Sequence, residues 1–356
     1  MSDRPPIFVV GASRSGTNLL RALLNRHSQI WMSGETHYFD DLRPRLEGGG
    51  RAPLDAKERE LVERYFLAIS HRAFGQKGDP AASRIDREEL RALAGELGAG
   101  SGDAYFEALC RLRARDHGKP HWAEKTPRHV YRIDGLLEAF PDAKVVCIVR
   151  DPRAVIASYR DWHGAAARRG VEEHPELAAD RSRSRRSYNI VLQCLLWRGV
   201  VQASYEAERR HGAEHVLVQG FERLAENPEP AVRELCAWLG LEYEPEMLEV
   251  PVVNSSYASS GKAEGVSKEP VERWRSRLSP REIGIVQSIC GRLMDELGYA
   301  KDHVKASSLA IAWAWVTAPF AAVRAAALNR ARLGRVFQYV RNRLAAGLSR
   351  RKLRSS

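Results

Sequence analysis

An apolar run, Ile7–Val10, ends on Gly11, and within six residues leucines and alanines recur at helical spacing over Thr17–His27. A run so short and so uniformly apolar suits a strand buried on both faces of a parallel sheet. Parallel strands need crossovers, so one strand–loop–helix unit implies others. Two further runs read as strands: Lys144–Arg150, with Val145, Val146, Ile148 and Val149 in sequence, and His215–Val218. Helical patterns accompany them at Arg153–Trp162, Asn189–Arg210 and Glu229–Leu239, the last closed by Gly240. Ser279-Pro280-Arg281-Glu282 has the form of a capping box opening another helix that runs to near Gly298. This alternation predicts an α/β fold, a doubly wound parallel sheet.

Two stretches read as insertions in a catalytic unit spanning residues 1–302. Residues 41–120 include helical patterns at Ala56–Phe74 and Arg87–Leu97, and residues 164–187, charged and Arg/Ser-rich, read as a mobile loop or lid. Tyr243–Pro270, rich in Ser, Gly and Pro, reads as a long functional loop.

The formal net charge of +11 is not spread over the chain. From His303 to Ser356 there is no Asp or Glu and there are 11 Lys and Arg, so the 45 Lys and Arg that remain of 56 match the 45 Asp and Glu of residues 1–302. The basic character belongs to the tail, and it is no argument for an acidic partner of the body. The five cysteines form no CxxC pair and sit among apolar residues, the pattern of reduced thiols in a cytoplasmic protein. No secretory pattern precedes Ile7, and no His/Cys/Asp clustering suggests a metal site.

Gly11-Ala12-Ser13-Arg14-Ser15-Gly16-Thr17 has P-loop spacing, GxxxxG followed by a hydroxyl residue. Inward-facing N–H groups and a helix N-terminus would hold a phosphate there. The lysine that a nucleotide triphosphatase places after the second glycine is absent, and Arg14 supplies the cation instead. The segment Phe8 to Leu20 resembles the 5′-phosphosulfate loop of sulfotransferases that use 3′-phosphoadenosine-5′-phosphosulfate (PAPS), above all the tyrosylprotein sulfotransferases and their bacterial relatives. By that resemblance Arg14, Ser15, Gly16, Thr17 and Asn18 bind the donor. Asn18 stands where a second Thr is usual.

A second island, Ile148 to Ser158, resembles the family's 3′-phosphate element. Arg150 ends a buried strand, where a guanidinium needs a partner, and Ser158 lies two helical turns on. Together they can grip one phosphate, or Arg150 can pair with Asp151 or another acid. A third, Asn254 to Trp274, resembles the loop that covers the donor: it would bring Ser255 or Ser256 to the sulfuryl region and Lys268 to the 3′-phosphate. Phe221 falls where the family often stacks a Tyr on adenine; a plain core role is the other reading.

For chemistry, the resemblance points to Glu35 in Gly34-Glu35-Thr36 as general base, with His37 as the competing candidate. Lys125, in Ala123-Glu124-Lys125-Thr126-Pro127, would stand beside the bridging oxygen as charge builds on it, helped by Arg14 and Ser256. Lys125 could otherwise pair with Glu124 or another acid. The expected reaction is in-line sulfuryl transfer to an acceptor hydroxyl of glycan, lipid, phenol or protein tyrosine. The alternatives are a P-loop kinase or nucleotide hydrolase, and an inactive membrane-associated binding module.

Ala306–Val323 is apolar and includes Trp313, Trp315 and Phe320; beyond it Leu333, Val336, Phe337, Val340 and Leu344 share one helical face between arginines. Residues 303–356 thus read as a helical tail for an anionic membrane surface, peripheral at the inner face; the other readings are a C-terminal helix packed on the body, a spanning helix and a nucleic-acid arm.

Overall fold

The structure, a computed structural model, describes residues 4–70, 85–162, 175–250, 265–304 and 306–329. Five parallel strands, β1 (Ile7–Gly11), β2 (Ile30–Ser33), β3 (His121–Lys125), β4 (Lys144–Val149) and β5 (Val216–Gly220), form one sheet in the order β2-β3-β1-β4-β5. The helices of ten or more residues are α1 (Thr17–Arg26), α2 (Ala56–Ser70), α3 (Arg87–Gly98), α4 (Gly102–Asp116), α5 (Pro152–Trp162), α6 (Pro175–Ser187), α7 (Ile190–His211), α8 (Pro228–Leu239), α9 (Pro280–Glu296) and α10 (Ser308–Asn329). The expected α/β class holds, and the sheet is covered on both faces.

The period-two geometry of a strand sorts β1 onto two cores. Phe8 and Val10, with Val145 and Cys147 of β4, face a cluster that takes in Phe66 of α2, Leu90 of α3, Phe106 of α4 and Val200 of α7. Phe8 is its hub, stacked on Phe106 at 6.2 Å and edge-on to Trp122 at 5.7 Å. Ile7 and Val9, with Val146 and Ile148, face Leu20, Leu23 and Leu24 of α1 and Val232 and Leu235 of α8. The helices of residues 41–120, together with α7, cover one of the two faces of the sheet. A third cluster joins α5, α7 and α9, and receives Ala314 and Ala318 of α10.

Several expectations are corrected. Two strands, β2 and β3, lie where none was read. Pro175–Ser187 is a helix, not a loop, and packs against α10. Within the stretch read as one long loop, Pro245–Leu248 and Glu269–Glu272 are single helical turns. The capping box at Ser279 forms as expected, with Ser279 and Glu282 bonded reciprocally. The apolar repeat at 333–344, together with Ser255 and Ser256, lies outside the described residues.

Candidate active site

In a parallel sheet all carboxyl ends share one edge, and ligands favour the crevice where successive crossovers leave for opposite faces. Here α1 leaves β1 for one face, while α7, after β4, packs on the other. The β1–β4 boundary is that crevice.

The loop after β1 is wound at positive φ by Gly11 at 142° and Gly16 at 100°, which adopt it freely, and by Arg14 at 74°, which does so only under strain. A Cβ on Gly11 would lie 2.4 Å from the Ile148 carbonyl oxygen, and one on Gly16 2.3 Å from the Phe221 ring. Glycine is required at both places by conformation and by space. Gly16 caps α1 without a side-chain hydrogen bond, so the first-turn N–H groups keep an open end. Ser15 Oγ is fully buried and has no hydrogen-bond partner among the described residues. Thr17 is buried and Asn18 exposed. An orphaned hydroxyl under an uncapped helix start suits a phosphate.

The second island closes onto the first. Arg14 Nε donates to Ser158 Oγ at 3.1 Å, and Arg150 Nη1 donates to the Arg14 carbonyl at 2.9 Å. The Arg150 guanidinium also donates to the Pro270 carbonyl and lies 4.3 Å over the Phe221 ring. Asp151 is bound by Arg153, whose Nη2 lies 2.6 Å from it. Phe221 is only 4% exposed, packed between Gly16 and Arg150. Lys268, exposed, precedes the helical turn that carries Pro270, and so sits two residues from a carbonyl on Arg150.

On the other side of β1, Glu35 follows β2 and Lys125 ends β3. Lys125 Nζ donates to Glu35 Oε1 at 2.6 Å, and His37 Nε2 lies 3.3 Å from Glu35 Oε2. Lys125 thus pairs with Glu35 and not with its neighbour Glu124. Burial works to raise the Glu35 pKa, but the His37 bond and the Lys125 charge outweigh it and hold the carboxyl well below the usual range. Both candidate bases and the candidate ammonium therefore meet in one cluster.

A residue with no assigned role in the sequence organises that cluster. Glu124, fully buried, accepts from Thr36 N at 3.1 Å, from Thr36 Oγ1 at 2.9 Å and from Thr126 Oγ1, while His129 Nδ1 lies 3.3 Å from its other oxygen. Burial would raise its pKa; the His129 charge and bond and the threonine bond together lower it. The carboxylate pins the backbone between Glu35 and His37, and Tyr65 Oη adds a 2.5 Å bond to the Thr36 carbonyl. His37 is held at φ 55°, a left-handed conformation uncommon for histidine, immediately after this anchor. Its nearest sequence signal was the threonine at both 36 and 126, which local spacing does not connect. Among the described residues no group of three His, Cys, Asp or Glu is placed to hold a metal ion.

Residues 5–245 match the sequence profile of the Sulfotransferase family. Nodulation protein NoeE of Sinorhizobium fredii is 27% identical over 308 residues, 82% of this chain and 65% of that protein. The protein-tyrosine sulfotransferase of Drosophila melanogaster is 21% identical over 310 residues, 83% of this chain and 52% of that protein. This chain spans less than two thirds of the length of either. Among solved structures, the sulfotransferase domain of the Synechococcus PCC 7002 olefin synthase aligns with a TM-score of 0.49 and 19% identity, covering 84% of this chain and 98% of that one. The matched span reaches from the start of β1 past the end of α8 and contains the phosphate loop, Glu35, Lys125, Arg150 and Phe221. This chain belongs to the sulfotransferase family.

Proposed function

We propose that the protein transfers a sulfuryl group from PAPS to an acceptor hydroxyl, with residues 1–302 as the catalytic unit. The observation that carries this reading is the meeting of Arg14, Ser158 and Arg150 beside an uncapped helix start and the buried Ser15 hydroxyl. Ser15, Gly16, Thr17 and Asn18 would hold the 5′-phosphate through the N–H groups and hydroxyls of the α1 start. Arg150, Ser158 and Lys268 would take the 3′-phosphate, and Phe221 would border the adenine. Ser255 and Ser256 retain their proposed place at the sulfuryl group. When bound, the donor supplies a sulfuryl group on an anionic leaving group.

Glu35 is the general base and His37 its hydrogen-bonded orienter. The acceptor proton passes to Glu35 as the acceptor O–S bond forms and the S–O bond to the 5′-phosphate breaks. Lys125, with Arg14, takes up the charge left on that oxygen. In the ion pair seen here Glu35 is ionised but a weak base. His37 and Lys125 both depress Glu35; moving Lys125 onto the leaving oxygen would remove one of the two, so the basicity of Glu35 would rise as the acceptor proton is taken. The acceptor belongs to a hydroxyl-bearing class; relatives are named for tyrosine and, in a mouse protein 25% identical over 343 residues, for carbohydrate. The five buried free thiols support a reducing, cytoplasmic setting.

The test is a thermal-shift titration with adenosine 3′,5′-bisphosphate beside ATP and adenosine 5′-monophosphate. A ligand at a hundred times its Kd adds about 2.7 kcal/mol to native stability. The expected result is a selective rise with the bisphosphate that Arg150→Ala abolishes. No rise at millimolar bisphosphate from folded protein, or an equal rise with ATP, would overturn the donor assignment.

A further inference from the structure

We infer that helix α10 is an in-plane docking face for an anionic phospholipid bilayer, lying in the membrane interface and not crossing it. The inference does not depend on the donor assignment.

The helix has two unlike faces. Ala314, Ala318 and Ala321, at i, i+4 and i+7, are 8%, 5% and 7% exposed and seat the helix on the body, where Ala314 and Ala318 join the cluster of α5, α7 and α9. The opposite stripe is Leu309, Trp313, Val316, Phe320 and Val323, exposed at 83%, 63%, 59%, 76% and 71%. Its spacing of four and three residues keeps all five side chains on one side of the helix. A contiguous apolar stripe of this size on a folded protein marks a contact surface. The helix runs 22 residues with a mean hydropathy of 1.4 in its most apolar window, enough by composition to span a bilayer. Spanning, however, would strip the alanine face from the body or carry the charged body into lipid. Lying flat satisfies both faces at once.

Charge decides what covers the stripe. A second copy of the chain would bring two tails together, each with 11 basic residues and no acid between His303 and Ser356. An anionic surface has the complementary sign. Exposed cations among the described residues agree. Arg281 is exposed, forms no ion pair among the described residues, and with Ser307, Leu309 and Trp313 lines a concavity of about 420 Å³. A cation beside an indole and an aliphatic side chain is the chemistry that takes a lipid phosphate at the level where tryptophan sits in a membrane. Arg185 and Arg186 are exposed on α6, the helix packed against α10, and Arg324 is exposed on α10 itself.

The experiment uses the full chain with vesicles of phosphatidylcholine alone or with added phosphatidylglycerol. It compares wild type with Trp313→Glu/Phe320→Glu and with Arg281→Ala, each checked for an unchanged melting curve. Wild type is expected to sediment with the anionic vesicles, to shift its tryptophan emission to the blue, and to be released by alkaline carbonate. The double variant should bind at least about tenfold more weakly and Arg281→Ala a few-fold. Four results would overturn the inference: no binding by wild type; unchanged binding by the double variant, which would assign the contact to the basic tail alone; resistance to carbonate, which would mean a spanning helix; or a lipid-free dimer that the double variant dissolves.

Discussion

The two sides of β1 match charge differently. Toward β3, Glu35 is closed on Lys125 at 2.6 Å and on His37 at 3.3 Å, and Glu124 gathers Thr36 and Thr126. Toward β4, Arg14 donates to a hydroxyl, and Arg150 to the carbonyls of Arg14 and Pro270. One side must be opened before it can work, and the other must be filled. The first side stores its charges in a tight ion pair, whereas the second seats its guanidiniums on a hydroxyl and two carbonyls beside the start of α1.

The largest break in this comparison comes from the stored pair. Glu35→Gln should lower turnover by about 10² to 10⁴, and Lys125→Met by about 10² to 10³, measured with labelled PAPS and an acceptor from a hydroxyl screen. Lys125→Met should also weaken bisphosphate binding, because the bisphosphate carries the 5′-phosphate oxygen that Lys125 is proposed to meet, but Glu35→Gln should leave that affinity within a few-fold, because Glu35 is proposed to face the acceptor. Loss of affinity in Glu35→Gln equal to its loss of turnover would erase the division. A smaller effect tests whether the filled side depends on backbone shape. Gly16→Ala should weaken bisphosphate binding and cost about 1–3 kcal/mol of stability by denaturant melts, since it meets Phe221 and sits at positive φ. Adding Phe221→Ala removes the collision but not the strain, so recovery should be partial; full recovery would assign the whole effect to crowding.

The smallest effect is in the pH dependence of stability. Glu124 is held below the ordinary carboxyl range by His129 and the threonine bond in spite of its burial. A carboxyl whose folded pKa is depressed contributes stability that is present above its unfolded value, about 4.3, and lost as the pH falls through the folded one. Wild type should therefore lose melting temperature below that value more steeply than Glu124→Gln, which near neutrality should be less stable by about 1 kcal/mol. Parallel curves would deny Glu124 its role as the charged anchor of the Glu35 segment.

The β4 side was the more legible one. Its loop announces itself through glycines at 11 and 16 that packing and φ both require, and its strand is a plain apolar run. The β3 side hid its strand: His121-Trp122-Ala123-Glu124-Lys125 has no strand-like pattern, yet every residue is buried, because its polar end is built for the site. β2, four residues long at the sheet edge, is too short to show a period. Helix α6 reads as a loop because its Arg/Ser composition has no apolar periodicity; its contact with α10 accompanies the helical form. The resemblance grouped Glu35 with Lys125 and Arg150 with Ser158. It did not say that Lys125 holds Glu35 or that Arg14 donates to Ser158.

The contacts that make the site join residues far apart along the chain: 88 positions for Thr36 and Glu124, 90 for Glu35 and Lys125, 136 for Arg14 and Arg150, and 144 for Arg14 and Ser158. Each closes a long loop, whose entropy must be overcome before the contact returns anything. The phosphate loop precedes, along the chain, every segment that grips it. A nascent chain that has emerged only as far as Phe140 carries all of it, with Glu35 and Lys125, and none of the residues that grip it from β4. Tight donor binding is therefore a property of the finished sheet and marks the moment when its last crossover closes.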